Sequence, residues 1–281
     1  MSGHVLLSRA SPSGDSMSQT VLITGASSGI GQATARLLAE RGFTVFGTAR
    51  KPEIAQSHGV TMVALDVRSD ESVRACVEQV IAKAGRIDVL VNNAGYAVTG
   101  AAEETSVDEA KAQLETNFFG AVRMVNAVLP GMRAAGAGKV INISSLAGNT
   151  AIPYSAFYSA SKFALEGYSE SLWYEVRPFG ISVSLVEPGF VNTPIGEASP
   201  AAARPLAAYD ATRKSMLAAF GHALEAGIPP EHVARRVLQV IEQPNPGLRY
   251  RVGAQATWLP RLRNVVPWAV YAAGVRKTFA V

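Results

Sequence analysis

One cysteine, Cys76, stands in a chain of 281 residues, so there is no disulfide framework, and a reducing compartment, the cytoplasm, is expected. Long apolar runs are missing too. The longest late one, Val265 to Val275, is broken by Pro267 and is too short to span a bilayer. The Ser- and Gly-rich stretch 1–19 holds only Val5-Leu6-Leu7, too little for a signal peptide; it reads as a disordered leader, with Met17 as an alternative start. No repeat at a solenoid or propeller period is present. No His/Cys/carboxylate cluster points to a metal, and neither a metal nor a nucleic-acid partner is expected. Charge is sparse at 17% and unevenly placed within a net +4. From Leu248 to Val281 there are six Lys/Arg and no Asp or Glu, against 20 basic and 22 acidic residues before that point. That tail, with Trp258 and Trp268, has two readings: a contact with acidic lipid or a partner, or a solvated helix packed by its apolar side. The second is the plainer.

What is present is a regular alternation of short β-branched runs and helical patterns in a 48% hydrophobic chain. Thr20–Thr24 leads directly into Gly25-Ala-Ser-Ser-Gly29-Ile-Gly31 and then a helix. Strand, glycine turn, helix is the frame of a dinucleotide site: the backbone approaches a pyrophosphate through Gly25, Ser27, Ser28, Gly29, Ile30 and Gly31, and the helix start stabilises its charge. Here the spacing is G-x-x-x-G-x-G. The second strand, Thr44–Thr48, ends at Ala49-Arg50-Lys51, where an acidic residue would bind the ribose of NAD. Arg50 instead suits a 2′-phosphate, so NADP(H) is expected over NAD(H). The plainer alternative is a solvated strand end. Asp66-Val67 closes a third strand, where a ligand contact is expected, and Asn92-Asn93-Ala94-Gly95 closes a fourth with small residues that let backbone lie against a cofactor. A long helical region over 107–135 is bent or tightened around Asn117-Phe-Phe-Gly120. Asn is unfavourable in mid-helix, which leaves a kink held for function or a tolerated surface site.

The densest chemistry lies in Val140–Lys162, where a strand breaks at Ser144-Ser145 and a helix carries Tyr158 and Lys162. Residues four apart share a helix face, about 6 Å apart along the axis. Bringing a phenol from near 10 to near 7 needs ~4 kcal/mol. An ammonium about 5 Å away at an effective dielectric of about 20 supplies roughly 3 kcal/mol of that. Of the tyrosines compared, Tyr154, Tyr209 and Tyr250 lack a Lys at that spacing. A sixth strand, Ile181–Val186, reaches Glu187-Pro188-Gly189, with Val191 and Thr193 beyond. At least six alternations with short connections predict one α/β domain over 20–281, a doubly wound parallel sheet with helices on both faces. The Pro-rich segment 194–229 is a candidate lid, and 254–281 a helical extension on the rim.

Thr24–Gly31 (TGASSGIG), Asn92–Gly95 (NNAG), Asn117, Ser145, Tyr158–Lys162 (YSASK) and Pro188–Thr193 (PGFVNT) together resemble the short-chain dehydrogenase/reductase family in its compact single-domain branch. Arg249–Gly253 is similar to the 17β-hydroxysteroid and retinol dehydrogenase subgroup. The resemblance implies a Rossmann-type fold and a catalytic set of Ser145, Tyr158, Lys162 and Asn117. In it Tyr158 is the acid/base and Lys162 lowers its pKa and holds the nicotinamide ribose. Ser145 orients the substrate carbonyl, and Asn117 holds a water linking Lys162 to solvent. Asn93, Ala94, Gly95, Pro188, Gly189, Val191 and Thr193 complete the cofactor contacts. It implies a homodimer or homotetramer through helices at about 103–135 and 157–178. The expected function is an NADP(H)-dependent oxidoreductase acting on CH–OH groups, interconverting a secondary alcohol and a ketone or aldehyde of a steroid-, retinoid- or lipid-like small molecule. Alternatives are a 3-oxoacyl-carrier-protein reductase and, outside enzymes, an NADP(H)-binding sensor or scaffold. Tyr154, Val98, Met216 and Phe220 are pocket candidates.

Overall fold

Alternation of two residues decides which side of the sheet each side chain serves, and here both sides are apolar. In strands β1 (Thr20–Ile23) and β5 (Val89–Asn92), Leu22 and Leu90 face one layer, while Val21, Ile23, Val89 and Val91 face the other. The computed structural model describes residues 18–52, 56–195, 199–279 and 281, so the leader expected over 1–19 falls almost wholly outside the described residues. The remaining strands are β2 (Thr44–Ala49), β3 (Gln56–Ser57), β4 (Val60–Ala64), β6 (Gly138–Ile143), β7 (Ile181–Pro188) and β8 (Arg249–Val252). They form one sheet in the order β3-β4-β2-β1-β5-β6-β7-β8. Every pairing is parallel except β3 with β4. That two-residue antiparallel edge was not expected; it is too short to carry an alternating pattern.

Helices cover both faces. On one side α2 (Asp70–Ala84), α4 (Gly120–Ala135) and α5 (Ala156–Val176) pack Val77, Val80, Met124, Met132 and Leu172 on Leu22, Leu90 and Val140. On the other, α1 (Gly29–Glu40) and α7 (Pro230–Glu242) pack Leu38, Val233, Val237 and Ile241 on Val21, Val89 and Ile141. The strand order reverses at β1, whose neighbours β2 and β5 lead outward in opposite directions. A crevice at the carboxyl ends of β1 and β5 is therefore where a ligand finds room in such a sheet.

Helix α3 (Val107–Leu114) is capped by Ser106 and Glu109 in a reciprocal capping box and runs into α4 through a π-helical piece, Glu115–Phe119. The expected distortion at Asn117 is present, but the helix is widened rather than tightened. Beyond β7 come α6 (Asp210–Glu225), α7, then α8 (Ala254–Val265) and α9 (Trp268–Phe279). The last helix does not stay on the rim. Its Val275 and Phe279 join a cluster with Ile152, Tyr154, Tyr158, Phe190, Met216 and Phe220. No helix among the described residues is long and apolar enough to cross a membrane.

Candidate active site

The glycine turn is pinned from β5. Thr24 Oγ1 accepts the N–H groups of Asn93 and Ala94, each at 2.9 Å. Asn93 Nδ2 donates to the carbonyls of Thr24 (3.0 Å) and Gly25 (2.9 Å). The Asn93 side chain thus serves the turn. Gly25 sits at φ +67, with Ala94 Cα 2.9 Å from where a β-carbon would lie, and a β-carbon on Gly31 would run into the Gly25 carbonyl. Both positions need glycine. Ser28 caps α1 without a side-chain bond and no acidic residue occupies the first turn, so the helix start is left for an anion.

Two cavities flank this turn. The outer one, about 770 Å³, is lined by Ala26, Ser27, Gln32, Arg36, Arg50 and Lys51, among others. Arg36 was missed in the sequence; it lies seven residues past Gly29, two turns along α1, and meets Arg50 only because β2 runs beside β1. Asp66 and Val67 line neither cavity. Arg68 grips the Asp66 carboxylate (2.6 Å), and that bond, set against some desolvation, holds its pKa at about 2. Val67 packs under Gly120 and lines the small buried space around Asn117.

The inner cavity, about 120 Å³, brings together Ile30, Asn93 and Gly95 with Ser145, Tyr158 and Lys162, and adds Pro188, Gly189, Val191 and Thr193 from the end of β7. Thr193 reaches back over the start of α1, its Cβ 3.4 Å from where a Gly29 side chain would begin. The apolar wall is Leu146, Ile152, Phe190, Ile195, Phe220 and Leu224. A glycine cradle, an open helix start, a cationic outer cleft and an apolar inner cavity make a trough that fits an extended dinucleotide with a substrate beside it.

Lys162 is buried and donates from Nζ to the Ile143 carbonyl at 2.8 Å, with its ammonium 5.8 Å from the centre of the Tyr158 ring. Desolvation pushes it down to about 8, the buried Glu166 carboxylate pulling the other way. The Tyr158 phenol is pushed up by burial, with the Ser145 hydroxyl pulling it back. In the protein by itself the net shift of the Tyr158 phenol is therefore upward, and the Lys162 cation over its ring is itself short of solvation. Ser144 and Ser145 both border the cavity, and the Ser144 hydroxyl lies against Gly148 and Glu166.

Asn117 is 2% exposed, which removes the surface-site reading. Its Nδ2 donates to the Tyr96 carbonyl (2.8 Å) and Ser161 Oγ (3.1 Å), and its Oδ1 accepts the Tyr96 N–H (3.0 Å). Between Asn117 and Lys162 lies a space of about 10 Å³ shared with Thr24, Ala94 and Thr116. Of the pocket candidates, Phe220 lines the inner cavity; Val98 and Met216 are buried outside it. Tyr154, held at φ +56, bonds Thr212 on α6 through its hydroxyl. Among the described residues no group of three His, Cys, Asp or Glu is placed to hold a metal.

The profile of the family described as short chain dehydrogenase matches residues 19–203. The chain is 43% identical over 258 residues to 3-ketodihydrosphingosine reductase of Bacteroides thetaiotaomicron, covering 86% of this chain and 93% of that one. It is 37% identical over 269 residues to retinol dehydrogenase 8 of Homo sapiens, covering 88% and 85%. A short-chain dehydrogenase structure from Streptomyces avermitilis superposes with TM-score 0.79 at 34% identity, covering 92% and 98%. Relatives solved with NAD (Burkholderia phymatum, 25% identity, TM-score 0.77, covering 88% and 93%) and with NADP (Burkholderia cenocepacia, 26%, 0.72, covering 91% and 97%) share the fold. The chain belongs to the short-chain dehydrogenase family, oxidoreductases that act on CH–OH or carbonyl groups with NAD(P).

Proposed function

We propose that the protein interconverts a secondary alcohol and a carbonyl on an apolar, lipid-like substrate, using NADP(H). The observation that carries this is one cavity holding Ser145, Tyr158 and Lys162 between the glycine turn and Thr193, with an apolar wall opposite. The names of the two relatives, a ketosphingoid reductase and a retinol dehydrogenase, support a lipid-like substrate.

When bound, the nicotinamide supplies or takes up the hydride. Tyr158 gives its phenolic proton to the carbonyl oxygen in reduction and takes it back in oxidation. Ser145 orients that oxygen. Lys162 holds the ribose and refills Tyr158. The space between Lys162 and Asn117 is at the lower limit for one water, which supports a proton relay toward the π-helical piece. Gly25, Ser27, Ser28, Gly29, Ile30 and Gly31 cradle the pyrophosphate; Gly95, Pro188, Gly189, Val191 and Thr193 border the nicotinamide. Arg50, with Lys51 and Arg36, takes the 2′-phosphate. Of the lid expected over 194–229, residues 196–198 lie outside the described residues; α6 brings Phe220 and Leu224 to the wall and forms the lid over the substrate. Exposed Phe119, Phe163 and Tyr174 form the face for a second copy. Cys76, buried with its thiol pushed up to about 12 by desolvation, is unreactive and suits the cytoplasm.

NADPH oxidation against a panel of long-chain ketones tests this reading. Tyr158→Phe should lower kcat by about 10²–10⁴-fold while dinucleotide binding persists. Turnover unchanged in that variant would overturn the assignment.

A further inference from the structure

The two C-terminal helices have an outer face unlike the rest of the surface. Trp258 (61% exposed), Leu262 (43%) and Val265 (76%) follow at four- and three-residue steps along one side of α8. Trp268 (67%) and Val270 (62%) are exposed on the first turn of α9. Isolated exposed apolar residues are ordinary; five within thirteen positions, three of them on one side of α8, are a dense group.

Its charge has one sign. The segment 248–281 has no carboxylate side chain. Arg249 and Arg251 are neutralised inward by Glu166, Glu170 and Glu187. Arg263 lies over Phe163 and bonds the Asn149 carbonyl. Arg261, stacked over Trp258 at 5.3 Å, and Arg276 and Lys277 make no ion pair among the described residues. The inner side of α9 packs behind the pocket wall: Phe279 lies 6.4 Å, ring centre to ring centre, from Phe190, in the cluster that includes Tyr158 and Phe220.

We propose that α8 and α9 dock the enzyme on an anionic lipid bilayer, with the Trp258–Trp268 corner in the headgroup layer and Arg261, Arg276 and Lys277 on the lipid phosphates. Tryptophan flanked by cations is the side-chain set such an interface takes. A second copy is the poorer occupant, since a two-fold interface on this face brings like charges together. An anionic bilayer supplies the opposite charge. Docking there places α9, whose Phe279 packs behind Phe190 of the pocket wall, at the lipid surface, where the proposed apolar substrate is dissolved. This last step rests on the substrate reading; the docking does not.

Cosedimentation of the full-length protein with vesicles tests the docking without any turnover. Pelleting is expected with phosphatidylcholine mixed with phosphatidylglycerol, weakening as salt rises, and not with phosphatidylcholine alone. Trp258→Ser with Trp268→Ser should lower partition more than about tenfold. Arg261→Gln, Arg276→Gln and Lys277→Gln together should lower it roughly a hundredfold, at about fivefold per cation. Val265→Asp, a change at a largely exposed position, serves if the double Trp variant does not fold, and should also release the protein. Failure to pellet with anionic vesicles, or unchanged pelleting of the variants, would overturn the proposal. So would a fall in solution mass on mutating the tryptophans without any vesicle binding, which makes the face a contact between copies. Vesicle binding by a protein inert toward every ketone would sink the substrate reading and leave the docking standing.

Discussion

Lys162 shows how a single buried residue is held at a cost to stability. The folded protein releases its proton at about pH 8, the unfolded chain only at 10.5, so the unfolded state binds more protons between those values and stability rises with pH across that window. Below pH 8 the buried ammonium costs about 3 kcal/mol, an order-of-magnitude figure. Lys162→Met should therefore be inactive yet melt no lower than wild type at pH 6–7. Calorimetry from pH 6 to 10 should show that margin narrowing as pH rises; a constant difference would contradict it. At the other cavity, Arg50 and Arg36 converge on one cleft. Arg50→Asp should move the ratio of kcat/KM for NADPH over NADH down by about 10–100-fold, the worth of one charge-assisted pair. Arg36→Gln should move it the same way by less, because Lys51 and Arg50 remain. Equal use of both dinucleotides by the unmutated protein would remove the claim. Arg50 was legible from its place after the second strand. Arg36 was not, because nothing local marks one exposed helix cation from another.

At the scale of elements, the π-helical piece and strand β8 matter most. The cap of Glu115–Phe119, Gly120 N–H onto the Glu115 carbonyl, spans five residues, and the widened turn swings Asn117 inward onto Tyr96 and Ser161. The sequence marked the spot, an Asn in mid-helix, but could not say which way it faced. Strand β8 is fastened by charge: Arg249 reaches Glu166 (3.0 Å), Glu170 (2.5 Å) and Glu187 (3.5 Å). Glu166 and Glu187 are both pushed up, first by burial; Ser144 and Arg249 pull Glu166 back, and Arg251, then Arg249, pull Glu187 back. Arg249→Met leaves the buried Glu166 carboxylate without its cation, while Glu187 keeps Arg251, and should cost about 3–5 kcal/mol near neutral pH. Those carboxyls, with folded values already above ordinary, take up protons as pH falls, so the loss should shrink toward acid. Chemical denaturation of both proteins at pH 7 and pH 5 checks this; a loss that grows on acidification would be the wrong sign.

Across the whole molecule, the segment beyond β7 is latched to the loop after β5. Thr99 N–H donates to the Pro200 carbonyl and Ala202 N–H to the Thr99 carbonyl. Tyr209 bonds Glu103 (2.8 Å), and Arg213 pairs with Glu104, 1% exposed. Burial pushes the Glu104 carboxyl up, but the N–H groups of Leu206 and Ala101 and the Arg213 guanidinium outweigh it and hold it below the ordinary range. The latch is then present above the ordinary carboxylate value and lost as pH falls through the lowered one. Glu104→Gln should raise amide exchange in 200–225 by about tenfold or more, the cost of one charge-assisted bond, while β1 and β5 stay protected. Exchange confined to the strands would refute the latch.

The sequence by itself determined what depends on near neighbours: strand periods of two, the glycine turn opening a helix, and Tyr158 and Lys162 four apart on one face. Those features set the family and the α/β architecture before any contact was known. Tertiary structure alone decided what needs distant segments side by side. It set Thr193 over Gly29, Arg36 in one cleft with Arg50, the Lys162 ammonium against the Ile143 carbonyl, and Phe279 of α9 in the apolar cluster around Tyr158. The phenol's protonation belongs to that second group. Spacing put a cation four residues from Tyr158, but burial sets the energy of both charges, and burial is a property of the packed whole.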